Sequence, residues 1–200
     1  MTGEIDEIIL EHTIEAKSYW AERGLELPRV SVNVSAKRLG DKDLVTRLKK
    51  LDFDWSSLTF ELVESTFLDR SDAQVAANIK QIRSMGIEVE IDDFGTAYAS
   101  IVSLTHLLPH RLKIDRQLIT PVIESADQRE LVHSIIQIGR TFGIGAVAEG
   151  VESMTHAEIL QMMGVEVLQG YALCPPLDRE SFLEHNLARL HDRQAMISAI

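Results

Sequence analysis

Val30, Val32 and Val34 alternate with Ser31 and Asn33, the two-residue period of a strand with one face buried. The same reading places strands at 29–35, 58–65, 87–92, 111–115, 144–150 and 165–171. Between them the apolar spacing lengthens to that of helices. Residues 4–23 predict a helix with Ile5, Ile9, Ala16 and Trp20 on one face and Gly24 as its stop. A helix at 41–51 follows the first strand. The next starts at Ser71 as N-cap, turns Val75, Ile79 and Ile82 inward, and stops at Gly86. A short helix is expected near 98–107. Asp127 is read as the cap of a helix burying Leu131, Ile135 and Ile138, ending at Gly143. Thr155 and Glu158 have capping-box spacing at the head of a helix over 155–163, closed by Gly164. Asp178 caps a last helix.

Six strand–helix units thus follow one leading helix. Such alternation argues for parallel strands with helices outside. A closed barrel of this kind has eight units. The expected fold is α/β, a TIM-barrel-like (β/α) barrel incomplete at its N-terminus, formed as one domain over residues 1–200.

Composition narrows the field. Of 200 residues, 45% are hydrophobic and 26% charged, ordinary proportions for a globular domain. A net charge of −11 argues against a bulk electrostatic hold on a nucleic-acid polymer or an anionic membrane. It does not argue against a small phosphate ligand held through cations. With Cys174 as the one cysteine, no internal disulfide can form, which suits a reducing compartment. No apolar run is long enough to span a bilayer, and the acidic start "MTGEIDEIILEH" lacks the basic region of a signal peptide. Cytoplasmic placement is the expectation.

The odd polar residues collect toward the strand C-termini: Asn33, Glu61, the pair Asp92 and Asp93, Lys113 with Asp115, Glu149, and Gln169. In parallel α/β folds that rim is where ligands bind. Taken singly, a strand-end Asp is more often a helix cap, and a lone Lys a solvated or paired one. Placement on six successive strands sets these apart from single cases. By parity, Val30, Val32, Val34, Phe60, Leu62 and Ile91 face the helices, while Asn33, Glu61 and Asp92 face a common interior. Two carboxylates and an amide oxygen make a hard-oxygen site suited to Mg²⁺ or Mn²⁺. Adjacent Asp92 and Asp93 can serve two ions, an arrangement that clamps both oxygens of a phosphoester displacement.

The stretches "VSVNVSAKRL", "FELVES", "IDDFGTAYAS", "RLKIDRQLI", "AEGVES" and "QGYALCPPL" resemble, in order and spacing, those of the EAL domain, a bacterial barrel phosphodiesterase that cleaves cyclic di-GMP to linear pGpG. The resemblance implies that Asn33, Glu61, Asp92 and Asp93 ligate metal, with Glu149 supporting the second of two Mg²⁺ or Mn²⁺ ions. It implies that Lys113 holds or activates the attacking water, that Gln169 positions it, and that Glu64 braces the loop after Asp93. It also implies cyclic di-GMP as partner, a homodimer contact near that loop, and a sensor or cyclase-like domain upstream in a longer protein. The alternative is a non-catalytic receptor for cyclic di-GMP or a protein-interaction module.

The sequence departs from the family in places. It contains no Glu-Ala-Leu tripeptide, whose glutamate is a metal ligand in the family. The expectation is a chain truncated before the strand that carries it. Ala97 and Ala99 stand where the family usually has a glycine and a serine. Glu90 shares the parity of Asp92, so it faces the interior where a small residue is usual, and Arg111 on the next strand is the expected ion-pair partner. Met85, Met154, Met162 and Met163 read as core filler, His110 as a loop residue, and Cys174 as a buried thiol.

Overall fold

The computed structural model describes residues 2–63, 73–95, 104 and 107–198. Helix α1 (Thr2–Ala21) leads into strand β1 (Val30–Asn33), then the short helices α2 (Ala36–Leu39) and α3 (Leu44–Leu48). Strand β2 (Leu58–Val63), helix α4 (Ala73–Ser84) and strand β3 (Glu88–Phe94) follow. Next come β4 (Arg111–Ile114), α5 (Arg116–Ile119), α6 (Ala126–Thr141), β5 (Gly145–Ala148), α7 (Met154–Met163), β6 (Val167–Leu168) and α8 (Arg179–Ser198). The six strands form one parallel sheet in sequence order, β1 to β6. This is a barrel wall left open between β1 and β6 among the described residues, as the strand–helix alternation predicts.

The strand faces sort as parity requires. Val32, Phe60, Leu62 and Val89 are buried with Leu39, Leu44, Leu48, Ile79 and Ile82 of the outer helices. Ile114, Ala146 and Ala148 meet Val132, Ile136 and Leu160 in the same way. Between these clusters Ile91, Phe94 and Leu112 pack on Leu104 and Ile144. The opposite face carries the charged tier. Reading across the sheet in register, Asn33 stands beside Glu61, Glu61 beside Glu90, Glu90 beside Arg111, and Arg111 beside Gly145. The expected Glu90–Arg111 ion pair is present, with Glu90 buried and Arg111 half-buried. Arg111 also meets Glu88 at 3.1 Å, and Glu88 meets Arg29 at 2.5 Å. Burial, opposed by Arg111, leaves the Glu90 carboxyl above its usual range.

Several elements differ from their sequence reading. On α1 the buried stripe is Asp6 and Leu10, with Ile14 packed alongside, while Ile5 and Ile9 are exposed. A polar residue on the buried face misleads a search for apolar spacing. On α6 the buried face is Val132, Ile136 and Gly139, while Leu131 is exposed and Ile135 and Ile138 are only partly buried. Gly139 explains the rotation: a Cβ there would lie 3.0 Å from the Ile144 carbonyl oxygen, so the helix seats its narrowest side on the start of β5. Ser125, not Asp127, caps α6, accepting from the Gln128 amide; Asp127 sits in the first turn, where its charge suits the helix dipole. Ser153, not Thr155, caps α7. Asp178 does cap α8, accepting from the Ser181 amide at 2.8 Å. Met154 and Met162 are exposed and not core filler, whereas Met85 and Met163 pack against the core. Strand β6 is two residues long against the seven expected, and α2 was not anticipated. The Ser71 cap and the helix near 98–107 fall mainly outside the described residues.

Candidate active site

The centre of the site is a lysine that the fold removes from water. Lys113 is 3% exposed, on the inner face of β4. Its ammonium lies 2.7 Å from Glu61, 2.9 Å from Asp92 and 2.6 Å from Glu149. These three carboxylates come from β2, from β3 and from the residue just after β5. Parallel register is what brings them to one point, since each stands at or near the C-terminal end of its strand. Burial works against the lysine's charge, yet Glu61, Glu149 and Asp92 together hold the ammonium above the ordinary lysine value. Glu149 is also raised, here by burial: desolvation pushes its carboxyl up, and one ammonium shared among three carboxylates only partly offsets this.

Asp93 joins the group through an irregularity that strand parity does not anticipate. Simple alternation turns Asp93 with Ile91 toward the helices. Instead, the β3–β4 register shifts between Ile91 and Phe94, so that Asp92 and Asp93 together oppose the single Lys113. Asp93 takes φ +55, a left-handed conformation that Asp tolerates better than most residues. The bulge swings Asp93 to the site side. Asp92, Asp93 and Glu149 then each offer an oxygen within 4.8 Å of one another. Burial, with the charges of Asp92 and Asp115, raises the Asp93 carboxyl above its usual range. Three crowded carboxylate oxygens of this kind fit a hard divalent cation. Gly95 at φ +99 carries the chain onward, and a Cβ there would strike Leu118.

Asn33 ends β1 in register with Glu61, and is solvent-exposed at the open edge. Gln169 follows β6; its amide donates to Ala148 and its carbonyl accepts from Val151 at 3.0 Å. Glu64, and the loop from Thr96 to Ser100 with Ala97 and Ala99, lie outside the described residues.

A cleft of about 660 Å³ opens beside the cluster, with Asp93, Glu149 and Gln169 in its wall. Its other walls contain residues that strand reading passed over, among them Arg116, Tyr171 and Phe182. They lie beyond the strand ends, where neither parity nor period points. One signal was present: Gly150 takes φ +67, and a Cβ there would lie 2.4 Å from the Arg116 Cβ. The glycine of "AEG" therefore lets Arg116 pack against the turn after Glu149. Arg116 pairs with Glu152 at 3.2 Å. Cys174 is half-buried and lines this cleft, so it is not the fully buried thiol expected.

This chain belongs to the EAL domain family, whose profile matches residues 1–176. It is 33% identical over 184 residues to the bifunctional diguanylate cyclase/cyclic di-GMP phosphodiesterase MucR of Pseudomonas aeruginosa, covering 90% of this chain and 27% of that protein. It is 29% identical over 167 residues to the cyclic di-GMP phosphodiesterase PdeR of Escherichia coli, covering 82% of this chain and 25% of the relative. The chain thus spans about a quarter of the length of these relatives. Among solved structures, the PaMucR phosphodiesterase in complex with c-di-GMP aligns with a TM-score of 0.80 and 33% identity, over 90% of this chain and 74% of that one. The EAL domain of Mycobacterium smegmatis DcpA aligns with a TM-score of 0.83 and 26% identity, over 92% and 84% of the two chains. No described helix is long and apolar enough to cross a membrane.

Proposed function

We propose that this chain hydrolyses cyclic di-GMP to linear pGpG with the help of Mg²⁺ or Mn²⁺, two ions in the full site. The observation that carries this reading is the Lys113 ammonium within 2.9 Å of three strand-end carboxylates, beside the Asp92–Asp93 bulge and at the edge of an open cleft. Asp92, Asp93 and Glu149, whose oxygens lie within 4.8 Å of one another, would hold the divalent cations, with Glu61 and Asn33 completing the donor set. When bound, such ions neutralise phosphate charge and make water a better nucleophile. The residues do the rest. Lys113 orients the attacking water and balances the carboxylates. Gln169 positions the water from the cleft wall, and Glu64 braces the loop after Asp93. Water adds to one phosphorus, the bond to the ribose O3′ breaks, and the product keeps a terminal 5′-phosphate and a free 3′-hydroxyl. A cleft of about 660 Å³ lies in the usual size range for ligand sites. A cytoplasmic location, a homodimer and an upstream sensor or cyclase-like domain accompany this reading.

A second reading, a receptor that holds cyclic di-GMP without cleaving it, draws on one observation. The Lys113 ammonium is ion-paired with Glu61, Asp92 and Glu149 at once, so a built-in cation already offsets part of their charge. The test is to incubate the chain with cyclic di-GMP and Mg²⁺ or Mn²⁺ and follow pGpG by chromatography. Metal-dependent product, lost in Asp92→Ala, is expected. Tight binding with no product would favour the receptor.

A further inference from the structure

Asn33 ends β1, an edge strand of the sheet among the described residues. Strand β1 pairs only with β2 among the described residues, and its last residue is exposed. The end of such an edge strand frays readily unless something else restrains it. The structure supplies a restraint from outside the sheet. Asp6, on the first turns of α1, is 8% exposed although charged. Its Oδ2 accepts a hydrogen bond from the Ser35 amide at 3.2 Å and a second, short one from the Ser35 hydroxyl. With its proton committed to Asp6, the Ser35 Oγ accepts from the Arg38 amide and caps α2. On the sheet side, the Val34 amide donates to the Glu61 carbonyl at 2.9 Å. Asn33 is therefore bracketed. One side is fixed in register with Glu61, and the residue two further on is anchored to a buried carboxylate 29 positions earlier in the chain.

We infer that Asp6 is a positioning residue for the site: through Ser35 it fixes the turn after β1, and so the place from which the Asn33 amide oxygen is presented to a divalent cation. This rests on the proposal that Asn33 is a metal donor. Burying a carboxylate against a single loop residue is costly unless its hydrogen bonds are made, and two of them converge here on Ser35. Groups that orient a metal donor typically cost about 10- to 100-fold in metal affinity when removed.

The test is a Mn²⁺ titration of the intact chain, followed by the EPR signal of free Mn²⁺, for wild type, Asp6→Ala, Asn33→Ala and the double variant. Circular dichroism melts check that each is folded. Asp6→Ala is expected to weaken Mn²⁺ binding about tenfold. The double variant should bind no worse than Asn33→Ala alone, because both changes act on one donor. Losses that multiply in the double variant, or unchanged affinity in Asp6→Ala, would overturn the inference; so would a wild type that binds no Mn²⁺. If Asp6→Ala does not fold, Asp6→Asn, which keeps one acceptor of the same shape, replaces it with the same criteria. Wild-type turnover of cyclic di-GMP is measured alongside. No turnover with this affinity pattern intact would remove the hydrolytic reading and leave Asp6 in its role.

Discussion

At the residue scale, Asp93 is where stability and chemistry pull apart. Its backbone is left-handed, and its carboxyl crowds against Asp92 and Asp115. In the metal-free protein the attraction of Lys113 for that charge is outweighed by burial and by the charges of Asp92 and Asp115. Asn takes the same backbone conformation at least as readily and carries no charge. Asp93→Asn is therefore expected to stabilise the metal-free protein by about 1 kcal/mol, the range of typical stabilising substitutions, while weakening Mn²⁺ binding severely. Urea unfolding in EDTA and a Mn²⁺ titration check the two halves. His110 makes a different case. Its Nδ1 accepts from the Val89 amide at 3.0 Å, and its own amide donates to the Val89 carbonyl at 2.7 Å, so the ring locks the entry of β4 onto β3. Burial, only partly offset by Glu88, lowers its pKa. The unfolded chain then binds the proton more readily than the folded one. The stability this bond contributes is present above about pH 6.5 and is lost as pH falls through that value toward the folded pKa. Unfolding free energies at pH 7.5 and 5.5 should show the loss. His110→Asn, with an oxygen acceptor in place of Nδ1, should show a smaller one; equal slopes would count against this role.

At the scale of elements, strands were legible because their period is short and their inner and outer faces differ sharply in polarity. Val32 and Asn33, or Leu112 and Lys113, declare their faces at once. That legibility reached the Glu90–Arg111 pair, which depends only on parity and strand order. It stopped at the bulge, because a register shift leaves no mark in a period-two pattern, and Asp93 was placed on the wrong face by parity alone. Helices were found but rotated. On α6 a glycine defines the contact face, and on α1 a buried aspartate does, and neither registers as apolar. The turn after β6 shows how tightly elements meet at the site. A Cβ on Gly170 would lie 2.3 Å from both the nitrogen and the oxygen of Val151. Those backbone groups also receive from Ala172 and donate to Gln169. Gly170→Ala must push backbone against backbone, so a destabilisation of about 1–3 kcal/mol is expected, with Gln169 displaced. A denaturant midpoint equal to wild type would show that the turn can relax.

At the scale of the whole molecule, the sheet is open between β1 and β6 among the described residues, but the helices reach across. Trp20 near the end of α1 packs on Phe182 of α8, ring centroids 4.7 Å apart, and its indole donates to the Arg179 carbonyl at 2.9 Å. Tyr19 has Arg23 and Arg179 over its ring. The first and last helices thus meet, and Phe182 from that junction also lines the cleft. Within this frame the net charge of −11 is not spread evenly in its effect. Four acidic residues, Glu61, Asp92, Asp93 and Glu149, gather around Lys113, the one lysine that the fold buries among the described residues. On the proposed function, this cluster both recruits metal and cleaves a phosphodiester. The most direct measurement is the rate of pGpG formation from cyclic di-GMP across a Mn²⁺ titration, for wild type and Lys113→Met. Wild type should show saturable, EDTA-sensitive turnover, and Lys113→Met should bind Mn²⁺ yet lose at least about a hundredfold in rate, the scale of removing a positioned catalytic group. Turnover that persists in EDTA, or a Lys113→Met rate equal to wild type, would contradict the account.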